Sequence, residues 1–175
     1  MALQTKVITA NGSNGHHKFT MTVTENSINE DNNTSSVSYS LVLSPIQTGW
    51  DWSGWGTSIQ YSVNVNGTVA SGSIPSYNGS STVTLASGTI DITHDENGEK
   101  TITFGFTITD TTGQSYTCGN ASGSRNMTLT LIDVGIFRIG VNNSWKKATA
   151  YIGVNGVWKK CKTYIGVNGS WKKGV

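Results

Sequence analysis

Apolar residues recurring at every second position constrain this chain most. A two-residue period lines one face of a β-strand and cannot line one face of a helix. Phe19, Met21 and Val23 alternate with threonines. Val37, Tyr39, Leu41 and Leu43 repeat the pattern after the polar turn Glu30-Asp31-Asn32-Asn33. Ile59, Tyr61, Val63 and Val65 run into Asn66-Gly67, the strongest short hairpin signal, because both residues accept positive φ in a type I′ turn. Val83 and Leu85 mark another strand. Ile90 and Ile92 lead into Asp95-Glu96-Asn97-Gly98, which reads as a hairpin turn, and Ile102, Phe104, Phe106 and Ile108 return from it. Tyr116 and Cys118 are expected to open a further strand, and Met127, Leu129 and Leu131 close the series.

Seven or eight strands, each with one apolar face, are not stable singly. Two antiparallel sheets packed face to face bury those faces together. The expected fold for residues 1–135 is therefore an all-β antiparallel β-sandwich, immunoglobulin-like or similar. A closed barrel is the alternative, since turn spacing does not decide between them. No stretch has the spacing of an amphipathic helix, and no apolar run approaches the ~18 residues that span a bilayer, so membrane insertion is not expected.

Near Gly135 the character of the chain changes. Residues 1–135 carry all ten acids against Lys6, Lys18, Lys100 and Arg125, a net −6. Residues 136–175 carry Arg138, seven lysines and no acid, a net +8. This basic segment repeats with a period of 13: Ile139-Gly140-Val141-Asn142-Asn143-Ser144-Trp145-Lys146-Lys147, then Ile152-Gly153-Val154-Asn155-Gly156-Val157-Trp158-Lys159-Lys160, then Ile165-Gly166-Val167-Asn168-Gly169-Ser170-Trp171-Lys172-Lys173. Each copy reads as a short hairpin. A two-residue turn at Asn155-Gly156 pairs Val154 with Val157, Gly153 with Trp158, Ile152 with Lys159 and Tyr151 with Lys160. The indole then lies across from a residue with no side chain and covers its bare backbone. Packing and assembly explain the pattern without a ligand. The alternative is that Trp and Lys-Lys together hold an anionic cell-wall polymer, with single-stranded nucleic acid the weaker candidate.

One loop, Gln47 to Gly56, holds Trp50, Trp52 and Trp55 beside Asp51. Two readings stand: an exposed aromatic platform for sugar rings, or indoles that cap the open end of the sandwich. His16, His17 and His94 lack metal-ligand spacing and read as satisfied turn or surface histidines. The Asp91–Glu99 stretch lacks the alternating oxygen ligands of a calcium loop. The acids fall mostly in polar turns and look solvated. No motif for nucleophilic or phosphate chemistry is present, so no catalytic residue, metal or cofactor is expected. The first residues, Met1 to Lys6, lack the apolar core of a signal peptide. A chain folded in a cytoplasm is therefore expected to keep Cys118 and Cys161 as free thiols.

The body resembles the β domain of minor structural proteins from phages of Gram-positive bacteria, a family of unknown function. The resemblance lies in Asn14-Gly15-His16-His17-Lys18-Phe19, Asn33-Thr34-Ser35-Ser36-Val37-Ser38-Tyr39 and Ile92-Thr93-His94-Asp95-Glu96-Asn97-Gly98-Glu99-Lys100-Thr101-Ile102. The terminal Tyr-Ile-Gly-Val-Asn-Gly-x-Trp-Lys-Lys units are similar to repeats that end many phage tail and virion proteins. The resemblance implies a bacteriophage virion structural protein, of the tail or a tail fibre, with a role in host-surface binding. Other virion proteins are the implied partners; the strand edges and indoles that three short hairpins expose add the expectation of a homo-oligomer, a trimer for example, assembled through the repeats. A carbohydrate-binding adhesin or a capsid decoration protein is the alternative.

Overall fold

The computed structural model describes residues 3–132, 137–142, 144–148, 150–161, 163–167 and 169–173. Strands β1 (Thr5–Asn11), β2 (His17–Asn29), β3 (Thr34–Pro45) and β6 (Val83–Thr93) form one antiparallel sheet in the order β1-β2-β3-β6. Strands β4 (Ile59–Val65), β5 (Thr68–Ser73), β7 (Thr101–Asp110) and β8 (Ala121–Thr128) form the other, in the order β5-β4-β7-β8. Two separate sheets make a sandwich rather than a closed barrel. Among the described residues there is no helix.

Burial follows the alternation. Phe19, Met21, Val23, Val37, Leu41 and Leu43 from the first sheet meet Ile59, Val63, Ile102, Phe104, Phe106 and Ile108 from the second, all buried. Phe19 and Phe106 face each other across the layers with ring centroids 6.2 Å apart. Each fully buried side chain of this size stabilises the fold by about 1.5 to 3 kcal/mol relative to exposure, before the entropic cost of ordering it. Along one edge the sheets close on each other. Arg125 Nη1 donates to the Val7 carbonyl at 3.2 Å, and Gly123 lies so close under Ile8 that a Cβ there would sit 2.5 Å from Ile8 Cγ2.

The Asn66-Gly67 turn has positive φ at both residues, 50° and 89°, as a type I′ turn requires. Two expectations need correction. Asp95–Gly98 is a tight turn, with the Gly98 N–H on the Asp95 carbonyl at 3.0 Å, yet it joins β6 of one sheet to β7 of the other rather than two paired strands. Its apolar flanks match a hairpin because both sheets share one core. Tyr116 and Cys118 lie in a loop, and β8 begins only at Ala121. Strand β1 carried no expectation; it is an edge strand whose inward positions are only half-buried, so its alternation is weak.

The basic segment forms three two-stranded antiparallel sheets. They are β9 (Phe137–Val141) with β10 (Ser144–Ala148), β11 (Tyr151–Val154) with β12 (Val157–Lys160), and β13 (Tyr164–Val167) with β14 (Ser170–Lys173). Their register pairs Gly140 with Trp145, Gly153 with Trp158 and Gly166 with Trp171, as expected. The boundary near Gly135 lies outside the described residues.

Candidate functional site

The sandwich has two ends of different chemistry. At one end the β3–β4 connection carries the tryptophans. Trp52 and Tyr77 exchange backbone hydrogen bonds at 3.0 and 2.8 Å. The Trp52 indole is buried and donates Nε1–H to the Ile74 carbonyl at 3.1 Å. It packs at 5.0 Å against Tyr77 and, edge to face, at 5.0 Å against His17. Trp52 therefore caps the core. Trp50 is half-buried, with one face stacked on His16 at 3.5 Å and nearly parallel. Asp51 is exposed. Trp55 is half-buried against the core, with its ring 6.3 Å from Tyr116. The three indoles thus do not share one open platform.

His17 is no surface histidine. It is fully buried at the first inward position of β2. Burial pushes its pKa below the ordinary 6.5, against the raising effect of its hydrogen bond to the Trp50 carbonyl and helped by neighbouring His16. The neutral ring donates Nε2–H to that carbonyl at 3.0 Å, and Nδ1 has no partner. His94 is also buried. It belongs to the Asp95 turn and donates Nδ1–H to the Gly98 carbonyl at 2.9 Å.

The other end of the sandwich holds a buried carboxylate, contrary to the expectation of solvated acids. Glu25 continues the inward parity of Phe19, Met21 and Val23 and is 1% exposed. Its Oε1 accepts from Ser35 Oγ at 2.7 Å. Its Oε2 accepts from Thr130 N–H at 3.0 Å, Thr130 Oγ1 at 2.7 Å and Gln4 N–H at 3.3 Å. Burial raises its pKa, but these bonds outweigh that and hold it below the ordinary 4.5. Ser35 Oγ also lies 2.8 Å from His94 Nε2. Serine, histidine and glutamate therefore meet, but the serine sits in the middle, the far histidine nitrogen is spent on a backbone carbonyl, and all three are buried. A substrate cannot reach that hydroxyl, and the cluster is a structural clasp that ties Thr130 to β2 and β3.

Around this clasp the β2–β3 and β6–β7 turns bring Glu30, Asp31, Asp95, Glu96 and Glu99 to one end. An open cleft of about 550 Å³ there is lined by Asp95, Glu99, Lys100, Leu129 and half-exposed Leu131.

In the middle hairpin Asn155 and Gly156 have φ of 50° and 78°. The Trp158 ring passes 3.8 Å from where a Cβ on Gly153 would sit, so the indole does lie over the glycine. It remains 75% exposed, and Tyr151, Ile152, Val157 and Lys159 are exposed as well. The side chains of Trp145, Lys146, Lys147, Lys160, Trp171, Lys172 and Lys173 lie outside the described set.

Among the described residues no helix is long and apolar enough to cross a membrane, and no group of three metal-ligating side chains occurs. Neither a curated protein nor a solved structure matches the chain. A family model does, that of a siphovirus protein of unknown function (DUF859). It spans residues 8–144, the sandwich from the middle of β1 onward and the first strand and turn of the first hairpin, and leaves the second and third repeats outside. The chain belongs to this siphovirus protein family.

Proposed function

We propose that this chain is a structural protein of the siphovirus particle, in the tail or a tail fibre, and that it assembles into a homo-oligomer through its C-terminal hairpins. Membership of a siphovirus family supports the phage role. The observation that carries the assembly reading is the uncovered surface of the β11–β12 hairpin. Its Tyr151, Ile152, Val157 and Trp158 are each more than half exposed, on a two-stranded sheet of four residues a strand. An isolated hairpin is marginal in water, and its open edges and apolar faces invite pairing with further copies or with other virion proteins. A trimer of such chains covers these surfaces.

The test is mass measurement in solution at micromolar concentration. The full chain is expected as a discrete multimer, and a chain ending before residue 136 as a monomer with the sandwich intact. A full-length monomer refutes assembly through the repeats. Gold-labelled antibody against the sandwich, imaged on intact particles, is expected to mark the tail; labelling of the head refutes the tail assignment.

A further inference from the structure

We propose that the β7–β8 loop, with Trp55, forms a binding site for a neutral saccharide at the tryptophan end of the sandwich. Residues 111–120 join two adjacent strands with ten residues, where two to five suffice for a hairpin. The loop is nevertheless held firmly. Asp110 Oδ1 accepts from Thr112 N–H at 3.0 Å and Thr112 Oγ1 at 2.6 Å, and Oδ2 accepts from Gly119 N–H at 2.8 Å. Asn14 Nδ2 donates to the Gln114 and Thr117 carbonyls at 2.8 and 3.1 Å. Asn120 N–H donates to Ser13 Oγ at 3.0 Å. Gly119 has φ of +69°, and a Cβ there would sit 2.8 Å from the Asn14 backbone nitrogen. A long loop fixed this way is a preorganised surface, and preorganisation is what lowers the entropic cost of binding.

Between this loop and the β1–β2 turn lies an open cleft of about 310 Å³, with Ser13, Asn14, Gln114, Ser115 and Asn120 in its wall. That is the lower end of the range for small-ligand sites, about 300 to 1,000 Å³. Asp110 is the one charged residue in the wall, and both its oxygens are already engaged. The cleft therefore offers amides and hydroxyls around one carboxylate whose oxygens are taken up by the loop's own donors, and its wall holds no cation to attract an anion, which suits a neutral polyol. Tyr116 follows Ser115 out of the cleft, is 38% exposed, and stands beside Trp55. Rings adjoining neutral hydrogen-bonding groups match a sugar, whose C–H face stacks while its hydroxyls bond in the ring plane. Trp52 does not serve, because the core takes it, and Trp50 has one face already covered by His16. The inference goes beyond assembly and draws on the virion reading only in giving the site a host surface to meet.

The experiment applies the full chain to an array of neutral bacterial-surface oligosaccharides built from hexoses, deoxyhexoses and N-acetylhexosamines. Binding is expected to at least one class and to survive about 1 M salt, where charge attraction is screened beyond about 3 Å. Tyr116→Ala, Trp55→Ala and Gln114→Ala are each expected to weaken it about tenfold, and Trp158→Ala to leave it unchanged. Tyr116 and Gln114 are exposed loop residues, so those variants keep the fold even where Trp55→Ala does not. Absence of neutral-glycan binding, binding lost at high salt, or full binding by the Tyr116→Ala/Gln114→Ala double variant overturns the proposal. Glycan binding by a chain that antibody labelling fails to find on particles would retain this site and refute the virion reading instead.

Discussion

The sandwich and the hairpins are built from the same element, a short antiparallel strand pair, and treat it in opposite ways. In β7 every second residue is buried, from Ile102 to Ile108. In β11 every residue is exposed. Strand pairing alone therefore does not make a stable unit; the second layer does. The sandwich supplies its own second layer, and the β11–β12 hairpin, taken by itself, has none. Each half also carries one cysteine, so a single reagent compares them. Cys118 is fully buried, and burial together with the nearby Asp110 charge pushes its thiol up to about 12. It can react only when the sandwich opens, which for a domain stable by about 5 kcal/mol or more is rarer than one molecule in a thousand. Cys161 is half-buried beside a hairpin of four-residue strands. Under native conditions a thiol reagent is expected to label Cys161 at least about a thousandfold faster. Comparable rates would show that the repeats are as well covered as the core.

A truncation pair sharpens the same contrast. Phe104→Ala removes a ring that is 1% exposed at the centre of the core and is expected to cost about 3 to 5 kcal/mol. That lowers the sandwich melting temperature by on the order of 10 °C. Trp158→Ala removes a larger ring from the hairpin and is expected to leave that transition within about 0.5 kcal/mol. Its effect belongs to assembly and is read by mass. A lowered sandwich melting point in Trp158→Ala would mean that the hairpin is part of the core.

The alternation made the sheets legible because the inward positions of β4 and β7, and those of β2 from Phe19 to Val23, obey it. The Gly–Trp register was legible because Asn-Gly fixes the turn and the turn fixes every pair beyond it. Three things were less so. Which sheet a strand joins was hidden, since β6 and β7 share a core without sharing a hydrogen bond. The tryptophan loop was visible as a cluster, but which indole turns inward depends on Ile74 and Tyr77, more than twenty residues away in sequence. Glu25 was missed although its signal was present: counting by twos from Phe19 reaches His17 on one side and Glu25 on the other. A charged residue at an inward parity is a candidate buried site, and its donors come from Ser35 and Thr130, which no local pattern connects to it. Nothing local pointed to the β7–β8 loop either, because its donors to Asp110 are matched only after folding.

Glu25 gives the next test, which separates the sandwich from the hairpins by pH. Its pKa is depressed in the folded chain, so it stabilises the fold fully above the ordinary value of 4.5, and that contribution is lost as pH falls through the folded value. The hairpins carry no acid and have no such dependence. Glu25→Ala removes the carboxylate that accepts from the Thr130 N–H and hydroxyl, leaves Ser35 only His94 Nε2, and is expected to cost about 3 kcal/mol at neutral pH. Glu25→Gln keeps the shape and loses the charge. It is expected to destabilise less and to flatten the fall in melting temperature below about pH 4.5. An unchanged acid limb in Glu25→Gln would assign acid unfolding to other groups.

The smallest effect expected is that of the charge split, and the structure gives it an address. The two turns gather Glu30, Asp31, Asp95, Glu96 and Glu99 at the end of the sandwich from which Leu129 to Ile132 lead toward the basic repeats. A −6 unit and a +8 unit attract, yet exposed charge pairs contribute only about 0 to 1 kcal/mol each and are screened beyond about 8 to 10 Å in physiological salt. Charge should therefore steer the approach of chains and set their orientation, while the indoles, valines and tyrosines supply the stability. Replacing Lys146, Lys147, Lys159, Lys160, Lys172 and Lys173 by Gln is expected to slow assembly at low salt and to leave the final multimer unchanged, both read by light scattering. Under the anionic-polymer alternative the same variant assembles at the parental rate and loses salt-sensitive retention on teichoic acid or nucleic acid. A variant that matches the parent in both assays would leave the repeats dependent on their apolar faces alone.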